Sequence, residues 1–160
     1  MTKKKPWNRI NLPVYSISSK TDYNQNMHII TYVTAISMQP KRFLCGIYHG
    51  TQTLLNVDQS GEFVLQLLSD QQAALVNLLG KQSGKKVAKI ERLHKRKLLT
   101  TWKEYSVLSS CLAVMKMKVL NCMDAGDHKA FLCDVTDYQN LNEGQALTLD
   151  HLREKKLIRN

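Results

Sequence analysis

The stretch from Ser110 to Tyr138 constrains the fold more than any other part of the chain. Residues 110–122 settle into strict alternation around Val114, Lys116 and Lys118, which makes a strand with one wet face. Asp124-Ala-Gly-Asp-His128 is a turn. Residues 130–138 form a second strand, and the two together make a hairpin. The C-terminal part of the chain is therefore antiparallel.

Further upstream, residues 29–37 (Ile-Ile-Thr-Tyr-Val-Thr-Ala-Ile-Ser) are β-branched and aromatic and read as one strand, ended by Pro40. Residues 43–48 are another strand, broken at His49-Gly50. Residues 51–57 predict a short helix with Thr51 as N-cap. Gln59-Ser60-Gly61 is a turn, and residues 62–67 are a third strand. Asp70 is expected to cap a helix over 71–79, with Ala74, Leu75, Leu78 and Leu79 on its apolar stripe and Gly80 at C′. Residues 81–97 read as a basic loop with a short helix near 87–93. Residues 102–109 fit either state, and a last strand is expected over 146–152. Regular βαβ spacing is absent, which argues against a doubly wound sheet. The expected fold is mostly β: a β-barrel with peripheral helices, of split-barrel or Greek-key type.

At 160 residues the chain is one domain long, and 43% hydrophobic with 22% charged residues excludes disorder. Residues 1–11 are expected to be a basic tail and 12–160 the domain. No apolar run reaches the ~18 residues of a membrane span, and no apolar segment follows the charged N-terminus as a secretory signal requires. Cys45, Cys111, Cys122 and Cys133 are too far apart for a C-x-x-C pair and read as small buried residues of a reducing, cytoplasmic protein. The net charge of +10 points to an anionic partner. Nucleic acid is disfavoured, because no aromatic side chains are interleaved with the basic clusters.

Neither glycine-rich phosphate loop is present, nor H-E-x-x-H, nor G-x-S-x-G. His28 and His151 read as structural histidines. What remains is a set of small hydroxyls, Thr31, Thr34 and Ser37, and the segment Tyr48-His-Gly-Thr-Gln-Thr53. Free amides at a helix start beside threonine hydroxyls suit a phosphate, and caps and turns also use the same residues.

Four stretches in order resemble the flavin reductase-like family with an FMN-binding split β-barrel. They are Thr31-x-x-Thr34-x-x-Ser37-x-x-Pro40, the helix from Thr51 followed by Gly61-x-Phe63, Ser83-Gly84 with Lys89, and Gly126-Asp127-His128 before a strand. The chain departs from the family pattern at Lys41, Ala88 and Tyr48-His49. The resemblance implies that Thr31, Tyr32, Val33 and Thr34 meet the flavin ring and that Ser37 approaches the ribityl chain. It also implies that His49, Gly50, Thr51, Thr53 and Lys89 hold the phosphate, and that His128 lies beside a nicotinamide as the catalytic residue. The implied cofactor is FMN, with FAD as an alternative. The implied reaction is hydride transfer from NAD(P)H, and the implied assembly is a homodimer. The rival readings are a flavin-binding sensor or carrier without turnover, and a basic nucleic-acid-binding barrel.

Overall fold

The structure, a computed structural model, describes residues 3–159. Seven strands form one antiparallel sheet: β1 (Tyr15–Lys20), β2 (Gln25–Ile30), β3 (Val33–Ser37), β4 (Arg42–Tyr48), β5 (Glu62–Leu67), β8 (Ala113–Asp124) and β9 (His128–Asn140). Their order is β2-β1-β5-β8-β9-β4-β3. The separate hairpin of β6 (Leu99–Trp102) and β7 (Tyr105–Leu108) fills the stretch 102–109 that the sequence leaves open.

The two outermost strands of that order, β2 and β3, are consecutive in the chain and joined only by Thr31 and Tyr32. Laid flat, seven strands would hold their outer members about 29 Å apart. The step from Ile30 to Val33 spans at most about 11 Å. The sheet must therefore curl until its edges meet, and a mostly β, barrel-like architecture follows. The single strand expected over 29–37 is thus corrected to two strands that break at this seam. β-branched residues on both sides give no sign of the break, which the curl of the sheet sets; past it, Gly46 N–H donates to Tyr32 C=O at 2.8 Å and extends the β3–β4 ladder.

The curled sheet has a core on each side. Phe63 and Leu65 of β5 point inward with Ile17, Phe43, Ile47 and Phe131. Helix α1 (Gln52–Ser60) adds Leu54 and Val57 to this inner core. Val64, on the opposite face of β5, packs outward under residues 73–79, Leu93, the β6–β7 hairpin and Leu152. Consequently β1 and β5 are covered on both faces, whereas β4 alternates and β3 is exposed.

Thr51 is the N-cap of α1, accepting from Leu54 N–H at 3.2 Å, and Gly61 ends the helix with φ of 72°. The helix runs to Ser60, past the expected end at 57. The helix expected over 71–79 is instead a 3₁₀ turn, Asp70–Leu75, leading into α2 (Val76–Leu79). Its cap is Ser69 rather than Asp70, with Gln72 reaching back to the Ser69 N–H. Gly80 keeps a right-handed backbone, so it is not a left-handed C′ residue. α3 (Lys89–Lys95) lies in the basic stretch. The strand expected over 146–152 is reduced to isolated bridges at Ala146 and Thr148, because Thr148 caps α4 (Leu149–Glu154). All four cysteines are free, and Cys45, Cys111 and Cys133 are buried. Cys122 is exposed, correcting the expectation that all are interior. No helix among the described residues is long and apolar enough to cross a membrane.

Candidate functional site

Three clefts adjoin along the seam. The first, about 460 Å³, lies between β2, the β4–α1 turn and the loop 80–84. His28, His49, Lys81, Lys89 and His128 all line it, and no carboxylate does. Such a lining favours an anion. The first turn of α1 faces it through Thr51 and Gln52. The Thr51 hydroxyl is already engaged, accepting from Leu54 N–H and donating to Tyr48 C=O at 2.9 Å. The amides of Gln52 and Thr53 have no intrahelical acceptor, as in the first turn of any helix.

Lys89 opens α3 and is only 3% exposed. Its ammonium donates to Leu79 C=O at 2.9 Å, which leaves two N–H groups. Burial lowers its pKa to about 8. His49 lies nearer solvent, with Nε2 3.1 Å from Asp124 Oδ1.

The second cleft, about 230 Å³, runs over His28, Thr31, Tyr32, Gly46 and Tyr48. The third, about 390 Å³, is mainly apolar and runs along Thr31–Thr34, Leu44 and Ala130. His128 lines all three clefts. It is the first residue of β9 and pairs with Tyr48 of β4. Its ring packs against Tyr32 at 4.7 Å and edge-on against Tyr48 at 5.2 Å. Nδ1 donates to the Asp127 carboxylate at 2.6 Å, which fixes the ring's orientation. Gly46 gives Tyr32 room at its pairing position, since a Cβ there would lie a tight 3.3 Å from Tyr32 Cβ.

Of the residues singled out in the sequence, Thr31, Tyr32, Val33, Thr34, His49, Gly50, Thr51, Lys89 and His128 meet along these clefts. Two do not. Ser37 sits at the far, bulged end of β3 opposite Arg42. Thr53 is fully buried, with its hydroxyl accepting from Asn26 Nδ2 at 2.9 Å. Thr53 thus ties α1 to β2 instead of facing a ligand. Sequence reasoning missed Asn26, His28 and Ser83 as lining residues. A signal for Asn26 was within the quoted motif: Gly84 leaves room for it, since a Cβ there would collide with Asn26 Oδ1.

No curated protein matches the sequence. Solved structures share its fold at low identity. An FMN-binding protein from Thermus thermophilus is 18% identical with a TM-score of 0.74, over 88% of this chain and 78% of that one. The flavin reductase component BorF of a bacterial two-component tryptophan halogenase is 15% identical with a TM-score of 0.79, over 91% and 90%. The styrene monooxygenase flavin reductase of Pseudomonas putida S12 is 17% identical with a TM-score of 0.73, over 90% and 89%. The model of the flavin reductase like domain matches residues 7–156, nearly the whole chain, and the protein therefore belongs to the flavin reductase-like domain family.

Proposed function

We propose that the protein binds FMN along the seam and passes reducing equivalents from NAD(P)H to it. The observation that carries the reading is the pairing of a carboxylate-free cleft, lined by lysine and histidine, with an apolar cleft that shares His128. A phosphate fits the first, where Lys89, the Gly50–Thr51 backbone and the amides opening α1 converge. A flat aromatic ring fits the second and third, over Thr31, Tyr32, Val33 and Thr34. FMN, with one phosphate, is a better match than FAD to a single cleft of this size.

The bound flavin supplies the hydride chemistry, so the protein has no acid–base pair to provide. Lys89 holds the phosphate as a point charge. Tyr32 and Tyr48 wall the site and exclude water. His128, held by Asp127, orients the nicotinamide and is the residue proposed as catalytic. A second copy of the chain covers the third cleft, where Tyr32 is 58% exposed, and the neighbouring strand β3, where Ile36 is 51% exposed, and the protein works as a homodimer.

Titration with FMN should quench flavin fluorescence with a dissociation constant near micromolar or tighter, about −8 kcal/mol. Addition of NADH or NADPH with FMN should then bleach the flavin. Absence of quenching would end the proposal. Quenching without bleaching would favour a carrier or sensor.

A further inference from the structure

His28 is the residue of the site that has no work inside the protein. It stands on β2, opposite Ile17 of β1, and lines both the phosphate cleft and the cleft that follows it. Its neighbours at this point are Lys89 on α3, His128 on β9, Tyr48 and His49 at the end of β4, and Lys81 in the loop after α2. No carboxylate lines either cleft. Nδ1 is sealed from solvent and has no hydrogen-bond partner.

We propose that His28 is a ligand-binding residue that donates a hydrogen bond to the polyhydroxyl chain between the phosphate and the ring of the bound flavin. This rests on the flavin reading above. The placement follows from the two clefts: one takes the phosphate, the next the ring, and His28 forms the boundary between them. Ser37, which the sequence resemblance puts at the ribityl chain, lies at the far end of β3 and lines neither cleft.

The chemistry of the ring agrees with that placement. Burial first, and then the charges of Lys89 and His128, lower the His28 pKa to about 4. The ring is neutral at pH 7 and carries a single N–H. An orphan buried N–H is rarer than an orphan acceptor, so the proton belongs on Nε2 and the sealed Nδ1 is a bare acceptor. Nε2–H is then a donor with no protein acceptor. A hydroxyl oxygen of the polyhydroxyl chain accepts from it, and His28 stands at the boundary that this chain has to cross between the phosphate and the ring.

The test compares three flavins that differ by one group each: FMN, riboflavin without the phosphate, and lumiflavin without the ribityl chain. Each is titrated against the wild-type protein, His28→Leu and His28→Gln. His28→Leu should weaken FMN and riboflavin alike, about two- to tenfold. Lumiflavin should bind as to the wild type, which also shows that the variant is folded. His28→Gln keeps an N–H and should restore most of the loss. A loss confined to FMN would make His28 a phosphate ligand, and equal loss of all three flavins in both variants would make it a ring contact or a structural residue. Unchanged binding of all three would leave it no ligand role, so any of these results overturns the proposal. If the wild-type protein binds none of the three, the flavin reading itself fails, which is a separate outcome.

Discussion

Lys89 shows how a surface-type residue becomes a site residue. It sits in a run of eight lysines and arginines between 81 and 97, yet it alone of them is buried and bonded to a backbone carbonyl. Lys89→Ala should weaken FMN about tenfold to a hundredfold and leave riboflavin unchanged, since a hydrogen bond to a charged group is worth ~1.5–3 kcal/mol. pH adds a second handle. With its pKa lowered to about 8, Lys89 loses its charge as pH rises through that value while the flavin phosphate stays ionised. FMN affinity should therefore fall above pH 8, and riboflavin affinity should not. The sign for stability is opposite. Between about 8 and the ordinary 10.5 the unfolded chain binds more protons at this lysine, so its contribution makes the ligand-free fold more stable as pH rises across that window. Denaturant melts of wild type and Lys89→Met at both ends of the window isolate the effect. His128→Ala should behave differently from Lys89→Ala, with FMN affinity nearly intact and NAD(P)H oxidation slowed, as read by titration and by initial rates.

Elements built from local signals were legible, and elements built by closure were not. Thr51, Gly61 and the strand between 62 and 67 follow from capping, a left-handed turn and alternation, all within a few residues. β1 carries no local strand signal, since four of the six residues in Tyr-Ser-Ile-Ser-Ser-Lys are serine or lysine. Its serines are buried nonetheless: Ser16 accepts from Gln66, and Ser18 donates to the carbonyl of Ser106. Those partners lie 50 and 88 residues away, so no local pattern could reveal them. The same holds for the site. The cleft-lining segment 49–51, proposed to hold the phosphate, is visible as a strand end and a helix start, while His28 and Asn26 gain their meaning only when the loop 80–84 folds over them. Two element-level changes test these points. Thr51→Ala should destabilise the protein by about 0.5–2 kcal/mol through loss of the α1 cap, as read by chemical denaturation. Glu104→Gly should stabilise it by up to about 1 kcal/mol, because Glu104 holds φ of 66° in the β6–β7 turn, where glycine is unstrained.

At the scale of the molecule, the charge of +10 is shared unevenly, and the mainly apolar third cleft lies on the other side of His128 from the lysine-lined one. This division suits a protein that meets an anion on one side and its own copy on the other. Light scattering should give about twice the chain mass. Ile36→Lys, on the exposed strand β3, should shift the protein to monomer and weaken flavin binding if the second copy completes the site.

The strand order has a further consequence for how the protein is made. β3 and β4 are synthesised early, yet β4 pairs with β9, some 90 residues later, as Arg42 opposite Asp134 and Tyr48 opposite His128. Contacts so distant in sequence form late. A nascent chain that has reached only β5 can assemble β1, β2 and β5 but must leave the β3–β4 hairpin without its neighbour. The ribosome therefore has to release nearly the whole polypeptide before Tyr48 and His128 can come together. Flavin capture then belongs to the finished molecule and not to the growing one.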